Sequence, residues 1–109
     1  MNDFEALILL NMVPSLGSIS ISRLLNSFNK PNNIFEASRE RLIGIEGITA
    51  RKIKEIKKAQ QSIKLDRELK LARENNISII TILDRDYPES LKNIYDPPAV
   101  LYVMGQLLD

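Results

Sequence analysis

DYPESLKNIYDPPAVLYVMG, residues 86–105, is the stretch on which the reading of the fold turns. Tyr87-Pro88 opens a turn, and the residues up to Asn93 form a short amphipathic helix. Asp96-Pro97-Pro98 must be extended, because a residue that precedes proline is pushed out of the α region. The apolar, strand-forming run 99–104 follows and ends at Gly105, four residues before the last residue, Asp109. A strand that opens a sheet needs partners. The expectation is therefore a helical domain over residues 1–75 and the first two strands of a larger sheet over residues 76–109.

Working outward, Ile77-Ser-Ile-Ile-Thr-Ile82 is rich in β-branched residues and reads as a buried strand. Helix, strand, helix, strand is the opening of an α/β sheet, and the right-handed crossover rule predicts that the two strands run parallel. Two apolar strands cannot bury both faces of a sheet, and their free edges are templates for another chain. Self-association through strands 77–82 and 99–104 is expected, with the C-terminal third as the least stable part.

The first 75 residues carry helical signals. A first helix spans residues 3–12, capped by Asn2 or Asp3 and ended by Pro14. Ser18 or Ser20 caps a second, whose Ile21, Leu24, Leu25 and Phe28 recur at helical spacing. Lys-Pro-Asn-Asn marks a loop at 29–33, and residues 34–37 and 40–43 form one or two turns each. Gly44 and Gly47 bracket a tight turn, and from Thr49 a helical pattern continues to the asparagines at 75 and 76. Within it, Ile53, Ile56 and Ile63 share one face while Leu65, Leu69 and Ala72 lie nearly opposite. At ~100° per residue, one straight stripe cannot hold both sets. Either the helix kinks near Gln61-Ser62 or there are two helices.

Two segments repeat at an offset of thirty-two residues: Val13-Pro-Ser-Leu16-Gly17 through Leu25, and Ile45-Glu-Gly47-Ile48-Thr49 through Ile56. Both look like helix-hairpin-helix units, whose turn N–H groups and second-helix N-terminus can hold a DNA phosphate without reading sequence. Each copy keeps one glycine, Gly17 with Ser15 at the other place and Gly47 with Thr49. A missing glycine restricts backbone approach. The second copy has Arg51, Lys52, Lys54, Lys57 and Lys58 nearby, the first only Arg23. Gly47, Thr49, Arg51, Lys52, Lys54, Gly17 and Arg23 are the candidate phosphate-binding residues. The other account of the same residues is two packed helical units with a solvated basic face.

With 15 basic and 14 acidic residues the net charge is +1, so any affinity for nucleic acid must come from local clustering. An apolar fraction of 44% and a charged fraction of 27% suit a globular domain. No Cys and no His are present, which removes disulfides, thiolate or imidazole metal sites and the usual nucleophile–base pairs. Asp84, Asp86, Glu89 and Asp96 are the only carboxylate cluster, and turns explain them. Tyr87 and Tyr95 can stack on bases, although Tyr95 also suits a lid over Leu91 and Ile94. No catalytic residue, metal or cofactor is expected. The apolar N-terminus is too short to span a bilayer and lacks basic flanks, so the cytoplasm is the expected location.

Tyr87-Pro88, the spaced Leu91, Asp96-Pro97-Pro98 and Leu101-Tyr102 with Gly105, preceded by Leu16-Gly17 and Gly44-Ile45-Glu46-Gly47-Ile48, resemble the N-terminal region of the DNA-processing protein A family (DprA, also called Smf). The resemblance covers almost the whole chain. It implies a SAM-like or helix-hairpin-helix domain followed by the truncated β-α-β start of a Rossmann-like sheet, mainly α in all. It also implies a noncatalytic protein that binds single-stranded DNA and helps load the RecA recombinase in natural transformation. The family's glycine-arginine DNA motif follows the second strand and falls on no residue of this sequence. This part is then an accessory or interaction domain. The alternatives are a module that binds duplex DNA nonspecifically through its hairpins and a helical protein-interaction domain without DNA contact.

Overall fold

Asn2 starts the first helix. Its side chain accepts the Glu5 backbone N–H at 2.8 Å, and the Glu5 carboxylate accepts the Asn2 N–H at 3.0 Å, a reciprocal capping box. The computed structural model of the chain describes residues 1–104, so Gly105 lies outside the described residues. Helix α1 (Asp3–Asn11) is buried continuously from Ala6 to Leu10. A helix apolar on all sides must be surrounded. It packs against four of the later helices and both strands, and so forms the axis of the molecule.

Helix α2 (Ser18–Phe28) is capped by Gly17 without a side-chain hydrogen bond. Neither serine is the cap: Ser18 is the first helical residue, and the buried Ser20 accepts a hydrogen bond from Lys52 Nζ at 3.3 Å. Helix α3 (Pro31–Glu36) begins inside the expected loop, because Pro31 at its first position is already set for helical φ. Ser38 caps α4 (Arg39–Ile43) and Thr49 caps α5 (Ala50–Gln60), each through its hydroxyl.

The long helical pattern is two helices. After α5, the Gln61 and Ser62 N–H groups bond back three residues to the Lys58 and Ala59 carbonyls, and α6 (Lys64–Glu74) starts in a new phase. Ile53 and Ile56 are buried, but Ile63 falls in the break and is 59% exposed. The second set, Leu65, Leu69 and Ala72, faces inward as the phase change requires, and α6 packs against α1 and the strand that follows it. Asn76, at φ +56°, ends α6 in the left-handed conformation and turns the chain into β1 (Ile77–Thr81).

The strands pair antiparallel, which corrects the expected parallel β-α-β arrangement. Strand β2 (Val100–Met104) runs beside β1 in the register Ile77 to Met104, Ile79 to Tyr102 and Thr81 to Val100. A parallel return needs a crossover long enough to travel the length of the sheet, usually a helix. Here α7 (Glu89–Lys92) is a single turn. The segment 82–99 instead folds back on itself, with Ile82 N–H on the Ala99 carbonyl at 2.9 Å and the Tyr87 hydroxyl on the Pro98 carbonyl at 2.6 Å. The two strands therefore satisfy one another within the chain. Ala99, Val100 and Leu65 join the helical core, with Ile79 and Ile82 packed against it. The fold is mainly α, with one two-stranded sheet among the described residues.

Candidate nucleic-acid interface

The thirty-two-residue repeat is a repeat of backbone geometry. In the first hairpin Val13 N–H bonds to the Leu10 carbonyl at 3.1 Å, Leu16 N–H to Val13 at 3.0 Å and Ile21 N–H to Gly17 at 3.0 Å. In the second, Ile45 N–H bonds to Leu42 at 3.1 Å, Ile48 N–H to Ile45 at 3.0 Å and Ile53 N–H to Thr49 at 3.0 Å. Gly17 and Thr49 hold the same extended N-cap conformation, at φ −89° and −92°. The apolar positions match too, Leu16, Ile21 and Leu24 against Ile48, Ile53 and Ile56, all buried.

The two hairpins also tie each other. Arg23 of α2 crosses to the second turn and donates from Nη1 to the Glu46 carbonyl at 3.3 Å. Glu55, its counterpart at the same offset in α5, crosses to the first turn. There its Oε1 accepts from Ser15 Oγ at 2.6 Å and from Ser15 N–H at 3.3 Å. Ser20 and Lys52, another equivalent pair, meet directly, and Lys52 Nζ also reaches the Gly47 carbonyl at 2.7 Å.

These ties give the two turns opposite electrostatics. In the first, a carboxylate already sits on the N–H and hydroxyl of Ser15, where an incoming phosphate would compete with it. The Ser15 hydrogen bond holds the Glu55 carboxyl below the usual carboxylate range, with Arg51 adding to the effect, so the charge is present at neutral pH. In the second, Gly47 has φ +83° and Arg23 lies against it: a Cβ there would stand 2.7 Å from Nη1. The turn therefore needs glycine for its conformation, and a Cβ would also push the Arg23 guanidinium aside. A base faces the second turn and an acid faces the first.

Of the residues singled out in the sequence, Gly47, Thr49, Lys52 and Arg23 come together around the second turn. Arg51 pairs with Glu55 Oε2 at 3.1 Å while its side chain stays 83% exposed. Lys54 is exposed beside it, and the two share an open groove with Arg39, Ile53 and Lys57. Lys57 is occupied: its ammonium donates to the Phe35 and Ala37 carbonyls at 2.8 and 2.7 Å and anchors the end of α3. Gly17 is exposed and meets no base.

The motif residues of the C-terminal third hold the loop and sheet. Tyr87 is buried, Pro88 caps α7, and Leu91, Pro97, Pro98 and Leu101 are half-buried, whereas Asp96 is exposed. Tyr102 donates to Glu68 Oε2 at 2.6 Å, and burial together with that carboxylate pushes its phenol well above the usual tyrosine range. Asp84 accepts the Thr81 N–H at 2.7 Å, an ordinary turn role. No group of three or more acidic side chains forms a metal-binding cluster among the described residues. Nor is any described helix long and apolar enough to cross a membrane. Glu55 and Glu68 escaped the sequence reading, and Ser15 entered it only as a missing glycine, although the equivalence of Arg23 and Glu55 was present in the offset for anyone aligning charged as well as apolar positions.

Over 97 residues, 89% of its length, the chain is 29% identical to Protein Smf of Synechocystis sp.. It resembles the DprA/Smf family. Over 44 residues, 40% of the chain, it is 50% identical to the DNA processing protein DprA of Bacillus subtilis (strain 168). The matched parts are 24% of that Smf and 15% of that DprA, so the chain spans less than a quarter of the curated relatives it matches. No family model and no solved structure matches it.

Proposed function

We propose that the chain is the N-terminal part of a DNA-processing protein that binds single-stranded DNA and assists RecA loading in natural transformation. Residues 1–75 are its helix-hairpin-helix domain and residues 76–109 the start of a Rossmann-like domain. Likeness to DprA and Smf along most of the chain is the observation that carries this proposal. Within it, the present residues act as an accessory domain in the cytoplasm without catalytic chemistry, and their own contact with DNA is weak. A net charge of +1 supplies few phosphate contacts, and two of the basic side chains near the second turn, Lys52 and Lys57, already serve internal carbonyls.

What affinity there is belongs to the second hairpin, through the exposed Arg51 and Lys54 beside the Gly47 turn. Titration of fluorescent oligo-dT and of a duplex of equal length, at several salt concentrations, tests this. Binding weaker than about 10 μM at physiological salt is expected, lost in the Arg51→Glu/Lys54→Glu double variant and little changed by Lys30→Glu. Submicromolar binding, or equal losses from both changes, would overturn it. A preference for the duplex would favour a stand-alone duplex-binding module. Because Glu55 fills the first turn, a helical protein-interaction domain is the second reading, and it predicts no salt-dependent DNA binding at all.

Among the described residues, the pairing of β1 with β2 leaves each strand one outer edge without a strand partner, and Met104, Tyr102 and Leu71 are exposed alongside. Such edges are open to another strand. Self-association through them predicts a sedimentation coefficient that rises with concentration and falls back when Met104, whose N–H faces the outer edge of β2, is replaced by proline. A monomer at every concentration up to the millimolar range removes this interface.

A further inference from the structure

A groove runs between the C-terminal end of α1, the Pro14 turn, the last turn of α5 and the start of α6, with a volume of about 280 Å³. Its floor is aliphatic: Leu9, Met12, Val13, Pro14 and Ala59. Lys58 and Lys64 stand at its rim, and both are exposed. Among the described residues neither ammonium has an acidic partner, since the one salt bridge there joins Arg51 to Glu55. Glu55 is the acid that lines the groove, but both its oxygens are engaged, Oε1 by Ser15 and Oε2 by Arg51. The charge presented to an incoming group is thus positive.

Two further features mark this as an incomplete surface. Lys64 is the first residue of α6, where the positive end of the helix dipole disfavours a cation, although the Ser62 hydroxyl accepts its N–H at 3.0 Å and Asp66 stands in the same turn. A carboxylate placed against its ammonium would offset that charge. Ile63, which adjoins the lining residues Ser62 and Lys64 in sequence without itself lining the groove, is a large apolar side chain left more than half exposed.

We propose that this groove docks a short acidic peptide of a partner protein, with apolar side chains on the Met12 and Ala59 floor and carboxylates on Lys58 and Lys64. Flexible methionine in an aliphatic groove suits an inserted side chain, and opposite charges on the rim supply orientation and selectivity. A nucleic-acid strand fits the same place less well: the lining holds no aromatic ring for a base to stack on and no arginine to fork onto a phosphate. This inference does not depend on the DNA-processing role.

Selection of a random twelve-residue peptide library on the full chain tests it. The expected outcome is enrichment of sequences in which Asp or Glu flank Leu, Ile or Phe. Binding of a labelled enriched peptide should weaken at least roughly tenfold in Lys58→Glu/Lys64→Glu. Ile63→Ser should weaken it as well. All three side chains are exposed, so unchanged thermal unfolding of the variants separates lost docking from lost folding. No enrichment, enriched peptides without acidic residues, or an affinity indifferent to both lysines would overturn the proposal. Displacement of the peptide by oligo-dT that depends on the same lysines would make the groove a nucleic-acid site and overturn it too.

Discussion

Ile56→Ala lowers the free energy of unfolding by about 2–5 kcal/mol, whereas Ile63→Ala changes it by less than about 0.5 kcal/mol. The two side chains sit on one face of a continuous helix in projection, yet the structure separates them. Ile56 is fully buried at the repeat position matching Leu24, and truncation there leaves a cavity between the hairpins. Ile63 stands in the break between α5 and α6, mostly in water. Urea unfolding of the two variants beside the parent decides it. Comparable losses would mean that α5 continues through residue 63 and that the core reaches further than described.

Tyr87→Phe is expected to cost about 1–3 kcal/mol, because it removes a buried hydroxyl and strands its partner. The ring is 2% exposed, and the hydroxyl's 2.6 Å bond to the Pro98 carbonyl closes the loop that delivers β2. Burial also pushes the Tyr87 phenol above its ordinary range. A folded-state pKa raised in this way favours the neutral form. Its contribution is therefore intact below the unfolded tyrosine value, about 10, and is lost as pH rises through the folded one. The variant should show a shallower loss of stability above pH 10 than the parent, with Tyr102 retaining part of the slope. A variant as stable as the parent, with the same alkaline slope, would show that the loop is held elsewhere.

What could be read from the residues was what local chemistry enforces. Asn2 and Thr49 cap because a short polar side chain before an apolar run has an obvious partner in the first turn. The phase conflict between Ile53 and Leu65 announced a break, and the structure supplies it at residues 61–63. The relative direction of the strands was not local. It depends on whether residues 82–99 travel along the sheet or return, and that is decided by contacts such as Tyr87 on Pro98 and Ile82 on Ala99. The candidate site was half legible for the same reason. Lys52, Arg23 and Gly47 stood out as types at a spacing, but the donation by the two cations to the Gly47 and Glu46 carbonyls follows from tertiary approach alone. Charge on a helix face says nothing about which ammonium is already spoken for.

The crossed ties between Arg23 and Glu46 and between Glu55 and Ser15 make each turn dependent on the other half of the duplication. They join residues 23 and 40 positions apart, so they close long loops and gain nothing until both hairpins exist. In this respect the helical part behaves as a dimer whose two subunits have been fused into one chain: each half carries the side chain that finishes its twin. Such an arrangement lets the two turns diverge, one closed by an internal acid and one left facing a base, while the fused pair keeps a common frame.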